Sequence, residues 1–379
     1  MGLTGTPFLA LLVILTVLAL AGSVLLWPRL AASGFWRVVG RVAVLLLVSA
    51  LVLATAGTAL NRTYVFFTDW SDLFGSTSAQ VVQATGGGSV GGAMAAAVKP
   101  LPNVVVAPGD TLLPAPISGT HQQVVGAQSG VTSSVQVLLP AGYSDPANAH
   151  RTYPVIVAFP GFPGTGDGLV KTFDLPGVID RLAAAHVMAP AVVVVPEPWT
   201  PNGRDTECAN GPGGTSAGDQ YETWVAVDVP AWVRAHFRVD SARTSWATFG
   251  ISAGAWCASA MTMLHPEQFA AALSLAGYFR VEWSNWRPYS TGDPRASRYD
   301  LVRLAATNPP PVALWVAVSR QDKYSYPPSE AILRQANPPL SITAQVSAAG
   351  GHRFSLWVPW LTDGLTWLGA HVPGFLPHA

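Results

Sequence analysis

The sequence contains few charged side chains, and their signs balance. Of its 379 residues, 11% are Asp, Glu, Lys or Arg, with 21 basic and 21 acidic side chains and a formal net charge of zero. A disordered chain needs low hydrophobicity and high net charge, so the composition excludes that class. A nucleic-acid-binding protein needs basic residues to neutralise a row of phosphates, so the charge balance also argues against a nucleic-acid partner.

Cysteine is scarce as well, with Cys208 and Cys257 alone in the chain. There is no cysteine cluster and no His-Glu-x-x-His pattern, so the sequence predicts neither a zinc site nor a metalloprotease, and we expect no metal and no cofactor. Outside the cytoplasm, two cysteines can persist as a disulfide, which would pin the loop at 204–208 beside the segment that carries Cys257. Two unpaired buried thiols are the alternative.

Hydrophobic residues make up 50% of the chain, and the excess lies at the N-terminus. Residues 8–27 and 42–60 are uncharged apolar runs, each close to the ~20 residues that cross a bilayer. Neither run shows the polar stripe of a helix on the surface of a soluble protein. We therefore predict a two-helix transmembrane hairpin, with a helical hairpin buried in a soluble core as the alternative.

The charges around the two runs predict their orientation. The connecting loop carries Arg29, Arg37 and Arg41, whereas the first seven residues have no charged side chain. The positive-inside rule then places the loop in the cytoplasm and the rest of the chain outside the membrane. A cleavable signal peptide, with small residues at 54–59, is the alternative, and it also exports the remaining chain.

The stretch after the second run divides into three parts. Residues 61–75 are rich in aromatics, and either lie along the membrane interface or form an ordinary packed connector. Residues 76–100 are small and Gly-rich, which is typical of a flexible linker. Residues 101–379 remain as the predicted catalytic domain.

Within that domain, short apolar runs alternate with helix-like stretches. Continuous apolar strands between helices are typical of a parallel sheet covered on both faces, so we predict an α/β fold. The predicted strands are 131–139, 153–159, 191–195, 245–249, 312–319 and 341–346. The predicted helices are 178–187, 221–237, 253–264, 329–335 and 355–368.

Residues 250–254 read Gly-Ile-Ser-Ala-Gly and lie between a predicted strand and a predicted helix. This is the setting of a nucleophile elbow, in which the serine occupies a strained turn and a side chain at either glycine would collide with the opposite arm. The helix dipole would also favour a developing oxyanion. Ser252 is therefore the candidate nucleophile, and a glycine-lined turn without chemistry is the alternative.

A serine nucleophile needs a base, and in this architecture the triad follows in the order Ser, acid, His. His352 follows two glycines in the loop after the last predicted strand, and Asp322 follows the strand at 312–319. Ligands of open α/β sheets bind at these carboxyl ends, and the aspartate would fix the imidazole tautomer. Glu330, in the next helix, is the fallback acid. We assign structural or terminal positions to the other downstream histidines: His265, His371 and His378.

Two backbone N–H groups are needed to hold the oxyanion. One is expected from Ala253, the residue after the nucleophile, and the other from the loop after an early strand. That loop, 160–166, reads Pro-Gly-Phe-Pro-Gly-Thr-Gly. Because proline has no N–H, Phe162 is the preferred second donor and Gly161 the next.

From about residue 119 to 368 the chain resembles the putative-esterase branch of the α/β-hydrolase superfamily, which includes esterase D-like enzymes and the antigen 85 mycolyltransferases. Four motifs carry the resemblance in order: Pro-Gly-Phe-Pro-Gly, Gly-Ile-Ser-Ala-Gly, Ser-Arg-Gln-Asp-Lys and Gly-Gly-His. The Asp-Thr-Glu-Cys stretch at 205–208, with Gly-Ala-Trp-Cys at 254–257, looks like a membrane-anchored actinobacterial subgroup. The resemblance implies an α/β-hydrolase fold with the following residues as triad and oxyanion donors: Ser252, Asp322, His352, Phe162 and Ala253.

The resemblance and the apolar N-terminus together imply a membrane-anchored, extracytoplasmic serine esterase that forms an acyl-enzyme. Its substrate would be an ester, such as that of an envelope lipid or glycolipid. The chain departs from the mycolyltransferases in its aspartate, where they usually have glutamate, and in its N-terminal hairpin. Acyl transfer to a sugar or lipid hydroxyl is the first alternative, and an inactive scaffold that binds an envelope component is the second.

Overall fold

The computed structural model describes residues 1–75, 80–98, 112–113, 117–213 and 219–377. Parts of the predicted linker (76–79 and 99–100), the first residues of the predicted catalytic domain and His378 lie outside these ranges. The chain divides into two compact units. The first consists of Met1–Gln80, Ser319–Lys323 and Ala348–Arg353, and the second of Val81–Val318, Tyr324–Ser347 and Phe354–Ala379.

The first unit begins with two long helices, α1 (Thr6–Leu30) and α2 (Phe35–Tyr64), which pack against each other as a hairpin. Both are long and apolar enough to cross a membrane. They extend beyond the apolar runs because flanking residues such as Arg29 and Arg37 are also good helix formers. Val65, whose backbone lies in the left-handed region, caps the end of helix α2, and a short helix, α3 (Trp70–Leu73), follows.

Among the described residues, the second unit contains a sheet of nine strands in the order β1-β9-β8-β7-β6-β4-β5-β3-β2. Strands β4 to β8 are paired in parallel, as β5-β4-β6-β7-β8, whereas the pairs β1-β9, β3-β5 and β2-β3 are antiparallel. The strands are β1 (Val81–Gly87), β2 (His121–Val125), β3 (Thr132–Leu138), β4 (Val155–Phe159), β5 (Val192–Pro196), β6 (Trp246–Ile251), β7 (Ala271–Leu275), β8 (Ala313–Ser319) and β9 (Ser341–Ser347).

Helices cover both faces of the sheet, as strand β4 shows most directly. Val155, Val157 and Phe159 pack into one apolar core, and Ile156 and Ala158 pack into the other, because successive strand residues point to opposite faces. The helices are α4 (Val90–Ala95), α5 (Gly166–Phe173), α6 (Leu175–Ala184), α7 (Tyr221–Thr223), α8 (Val229–His236), α9 (Ala253–Leu264), α10 (Leu301–Thr307), α11 (Tyr326–Gln335) and α12 (Phe354–His371). A π-helical turn (Trp224–Asp228) connects α7 to α8. The predicted α/β fold is confirmed.

The structure differs from the predicted linker at residues 76–100. Val81–Gly87 form strand β1, which pairs antiparallel with β9, and Val90–Ala95 form helix α4. The strand ends in two glycines where it runs close to other backbone: a Cβ at Gly87 would lie 2.0 Å from the carbonyl oxygen of Leu340. Small residues therefore reflect close packing here, and the second unit begins about twenty residues before the predicted domain.

Candidate active site

Ser252 is the single residue between strand β6 and helix α9. Its backbone has φ 54° and ψ −122°, a conformation that non-glycine residues rarely adopt. The Ser252 amide donates a 2.9 Å hydrogen bond to the carbonyl of Leu275, at the end of β7. The chain thus reverses sharply at the serine, and the neighbouring strand holds it in that strained turn.

The two glycines of the motif leave no room for a side chain. A Cβ at Gly250 would lie 2.0 Å from the carbonyl oxygen of Gly254. A Cβ at Gly254 would lie 2.3 Å from the carbonyl oxygens of Phe159 and Pro160. The tight crossing of strand, turn and helix is therefore possible only with glycine at both positions.

Ala253 is the first residue of α9, so its N–H has no acceptor within the helix. The loop after β4 passes beside this turn: a Cβ at Gly161 would lie 3.3 Å from the Cβ of Ser252. Phe162 therefore belongs to a loop in contact with the serine turn. Phe162 and Ala253 remain the predicted oxyanion donors.

Trp199 fixes the loop that contains Phe162. Its indole Nε1 donates a 2.9 Å hydrogen bond to the carbonyl of Gly164. The ring of Phe162 meets the Trp199 ring edge-on, with the ring centroids 5.4 Å apart. Because Trp199 is itself buried, these contacts hold the loop against a rigid neighbour.

A disulfide joins Cys208 to Cys257, with their Cα atoms 5.5 Å apart. Cys257 lies on α9, shortly after the serine, and Cys208 lies in the loop after β5. A second contact supports the link, since the indole of Trp256 donates a 2.8 Å hydrogen bond to the carbonyl of Glu207. The loop is therefore fixed to the helix that begins at Ser252.

Two buried carboxylates, Asp205 and Glu207, lie beside the disulfide, and the sequence analysis assigned no role to either side chain. Glu207 accepts hydrogen bonds from the Tyr278 hydroxyl at 3.1 Å and from the Glu282 and Ser284 amides at 3.3 and 3.4 Å. Burial, followed by the charge of Asp205, raises the pKa of Glu207 to about 7. The only sequence feature that points to these two carboxylates is their presence in a chain with few charged residues.

His352 and Asp322 form a direct pair. The histidine Nδ1 lies 2.6 Å from Oδ2 of Asp322, whose side chain is 1% exposed. The Ser319 hydroxyl donates a 2.5 Å hydrogen bond to the carbonyl of Gly350, which ties together the two loops that carry the pair. With Nδ1 facing the acid, Nε2 is the nitrogen placed for proton transfer, as in a triad histidine.

Glu330, the fallback acid, lies in α11 and forms an exposed ion pair with Arg334 at 2.9 Å. Glu330 and Arg334 form an (i, i+4) ion pair on the helix, whereas Asp322 is the acid that contacts His352. His265 bonds Glu222 and Glu267, and His371 bonds the carbonyl of Trp367 in its own helix. Both histidines have structural positions.

Besides the three predicted triad residues, the described part of the chain contains a Ser-His-Asp cluster at other positions, which we call the second cluster. His121 lies 3.0 Å from the Ser134 hydroxyl through Nδ1 and 2.9 Å from Asp167 through Nε2. Ser134 lies within the regular strand β3, without a strained turn or a helix N-terminus at it, and the side chains of His121 and Asp167 are exposed. This cluster has the side chains of a triad without the setting of a nucleophile elbow.

Comparison with known proteins gives a consistent result. Residues 128–368 match the family model described as "Putative esterase". An uncharacterised protein of Corynebacterium glutamicum is 27% identical over 168 residues, which cover 44% of this chain and 37% of that protein. The chain thus matches little more than a third of the length of this relative.

Solved structures share the fold at low sequence identity. An S-formylglutathione hydrolase from Agrobacterium tumefaciens is 19% identical with a TM-score of 0.55, covering 67% of this chain and 94% of that one. A ferulic acid esterase is 17% identical with a TM-score of 0.53, covering 67% and 98%. A fluorophosphonate-binding serine hydrolase of Staphylococcus aureus is 16% identical with a TM-score of 0.52, covering 66% and 97%.

At these identities the solved structures show a shared fold, whereas the family model spans more than half of the chain and shows the family. The predicted resemblance to esterases is confirmed. The chain belongs to the "Putative esterase" family.

Proposed function

We propose that this protein is a membrane-anchored, extracytoplasmic serine esterase with Ser252 as nucleophile, His352 as base and Asp322 as the acid of the triad. The observation that carries the proposal is the strained strand-to-helix turn at Ser252. Two further facts support it: the 2.6 Å bond between His352 and Asp322, and the chain order Ser, acid, His that the fold uses.

In the proposed reaction, Nε2 of His352 takes the hydroxyl proton of Ser252 as Oγ attacks the ester carbonyl carbon. The backbone amides of Phe162 and Ala253 stabilise the oxyanion of the tetrahedral intermediate. The intermediate collapses, the carbon–oxygen bond to the alcohol breaks, and the imidazolium returns its proton to the departing alcohol. Water then attacks the acyl-enzyme by the same route and releases the carboxylic acid.

Asp322 acts through His352 in this scheme. Its Oδ2 accepts the Nδ1–H, which selects the imidazole tautomer whose Nε2 lone pair can accept the serine proton. It also stabilises the imidazolium that forms when the serine proton is transferred. Because the carboxylate is almost completely buried, little water screens this interaction.

The N-terminal hairpin supports membrane anchoring. Within the most apolar 18-residue windows of α1 and α2, 6% and 0% of the residues are buried, whereas a core helix of a soluble protein would bury its apolar residues. Arg29 near the end of α1, with Arg37 and Arg41 near the start of α2, favours a cytoplasmic turn between the two helices. The Cys208–Cys257 disulfide agrees with a catalytic domain outside the cytoplasm.

The anchor also bears on the substrate. The loops that carry Asp322 and His352 belong to the same compact unit as the hairpin. An enzyme held at a membrane through the same unit as its proposed base would meet esters at that surface, which supports an envelope lipid or glycolipid as the substrate.

The proposal is tested with the full chain in detergent micelles, assayed on nitrophenyl esters of increasing acyl length and on a diacylglycerol. Ser252→Ala is compared with Ser134→Ala, which removes the serine of the second cluster. We expect Ser252→Ala to lower kcat by about 10⁴-fold or more and Ser134→Ala to leave it unchanged. Full activity in Ser252→Ala would contradict the proposal.

Two added measurements test the finer parts of the proposal. Product analysis with a polyol present separates hydrolysis, which gives the free acid, from acyl transfer, which gives a new ester. Alkaline carbonate extraction of membranes tests the anchor, since an integral hairpin stays in the pellet. Release of the full chain into the supernatant would contradict membrane anchoring.

A further inference from the structure

We propose that the segment directly after the second long helix, residues 65–75, holds the proposed base and acid in position, so that Asp72 and Arg353 are positioning residues for catalysis. We call it the juxtamembrane segment. Its partners are the acid loop (Ser319–Lys323) and the histidine loop (Ala348–Arg353), which belong to the same compact unit. The inference rests on the proposed roles of Asp322 and His352.

The first connection is between backbones. The amide of His352 donates a 3.0 Å hydrogen bond to the carbonyl of Val65, the residue that ends helix α2. At the preceding position, a Cβ on Gly351 would lie 1.9 Å from the carbonyl oxygen of Val65 and 2.6 Å from that of Phe66. The histidine loop therefore lies directly on the juxtamembrane segment, at a distance that only glycine allows.

The second connection is a buried ion pair. The guanidinium of Arg353, next to the histidine, binds both carboxylate oxygens of Asp72, with Nη1 to Oδ2 at 2.6 Å. The same Nη1 donates to the Phe66 carbonyl at 2.7 Å, and the guanidinium lies 4.8 Å from the centre of the Phe67 ring. A bidentate pair fixes orientation as well as distance.

The charge state of Asp72 suits this role. Its side chain is 1% exposed, and burial by itself would raise the pKa of its carboxyl. Hydrogen bonds from Arg353 and from the amide of Thr68 outweigh burial and hold the pKa below its usual value. Asp72 is therefore ionised at neutral pH, so the pair with Arg353 persists under the conditions in which an esterase works.

The third connection reaches the acid loop. The hydroxyl of Thr68 donates a 2.7 Å hydrogen bond to Oε1 of Gln321, the residue before Asp322. The amide of Gly350, in the histidine loop, donates to the same oxygen at 3.0 Å. One side-chain oxygen thus joins the juxtamembrane segment to both loops.

The juxtamembrane segment is in turn held by the hairpin. The side-chain amide of Asn61, in α2, makes 2.8 Å hydrogen bonds to both the amide and the carbonyl of Phe67. The indole of Trp70 donates to the carbonyl of Met1 at 2.9 Å and packs edge-on against the ring of Phe8. The helices, the segment and the two loops therefore form one continuous set of contacts.

Such a set of contacts has a catalytic consequence. A general base must lie within hydrogen-bond reach of its proton, and a displacement of about 1 Å can cost about 10²-fold in rate. Breaking the contacts to the juxtamembrane segment should let the His352 and Asp322 loops move, while the Ser252 turn and the disulfide keep their own supports. The effect should therefore fall on kcat, with little change in KM.

The test uses the full chain in detergent micelles and rates expressed per active site, titrated with a fluorophosphonate. We expect Asp72→Asn and Arg353→Met each to lower kcat by about 10- to 100-fold, with KM within about twofold of wild type. The double variant Asp72→Arg with Arg353→Asp should recover part of the loss. Asp174→Asn, which breaks the exposed pair with Arg181, is the matched control and should keep wild-type kcat.

The outcomes separate this inference from the proposed function. Wild-type kcat in Asp72→Asn and Arg353→Met, with Ser252→Ala inactive, would overturn the positioning role alone, whereas an active Ser252→Ala would overturn the proposed function. If the buried-pair variants do not fold, Thr68→Val decides the question. A lower kcat at a wild-type melting temperature would support the inference, and an unchanged kcat would overturn it.

Discussion

Asp322 and His352 are 30 positions apart in the sequence, yet Oδ2 of the aspartate lies 2.6 Å from Nδ1 of the histidine. The contact forms because the loops after β8 and β9 are tied together by the Ser319 hydroxyl and the Gly350 carbonyl. The aspartate is almost completely buried, so it contributes charge and orientation to the imidazole with little competition from water.

Replacing this aspartate by its amide should leave the loop intact and disable the histidine. We expect Asp322→Asn to lower kcat by about 10³- to 10⁴-fold, because the amide favours the wrong imidazole tautomer. Asp167→Asn, which changes the acid of the second Ser-His-Asp cluster, should have no comparable effect. Steady-state ester hydrolysis measures both variants, and equal losses in the two would contradict our assignment of the acid.

Gly254→Ala should destroy the sharp turn at Ser252. The new Cβ would lie 2.3 Å from two backbone oxygens, so strand β4 and helix α9 would have to separate. We expect a lower melting temperature and a loss of kcat of at least about 10²-fold. Gly91→Ala is the matched control, since a Cβ there meets nothing within 4 Å, and its melting temperature and rate should stay near wild type.

The raised pKa of Glu207 predicts that the free energy of unfolding depends on pH. Its pKa is about 7 in the folded protein against an ordinary 4.5, so the folded state binds its proton more tightly. The stability contributed by this group is fully present below pH 4.5 and is lost as the pH rises through about 7. Glu207→Gln, which imitates the protonated acid, should therefore raise the melting temperature more at pH 8 than at pH 5.

The control for this measurement is Glu330→Gln, the same substitution in an exposed ion pair. Its effect should be small at both pH values. If Glu207→Gln were instead more destabilising at pH 8 than at pH 5, the carboxylate would be the form that the fold favours, and the account of this buried acid would fail.

The disulfide predicts that the melting temperature depends on the presence of a reducing agent. The bridge closes a loop of 49 positions, and removing a native disulfide of this kind costs about 2–4 kcal/mol of unfolding free energy. We expect the double variant Cys208→Ser with Cys257→Ser to melt at a lower temperature and to lose its response to dithiothreitol. A wild-type protein that melts at the same temperature with and without dithiothreitol would contradict a stabilising bridge.

The central strands could be predicted because buried parallel strands are continuous apolar runs, as in β4 and β8. Strand β1 could not be predicted, because it lies within a Gly-rich stretch and such a stretch is also typical of a linker. Its partner β9 lies at the other end of the domain, and pairing between distant segments leaves no local pattern. Strand β7 was not predicted either, because its sequence, Ala-Ala-Leu-Ser-Leu, has the composition of a helix.

The turn at Ser252 could be predicted from the sequence because its steric requirement is local. Both positions that must be glycine, Gly250 and Gly254, lie within one motif of five residues. The contact of Asp72 with Arg353 spans 281 positions, and single charged residues in a sequence do not reveal their partners. Glu207 is similar, since its buried state depends on Tyr278, 71 positions away.

The most direct test of the central claim is to identify the residue that a fluorophosphonate modifies in the full chain. We predict a single adduct, located by peptide mass spectrometry on Ser252, formed in Ser134→Ala and absent in Ser252→Ala. An adduct on Ser134 or another residue, or ester hydrolysis at the wild-type rate after Ser252 is removed, would contradict the account.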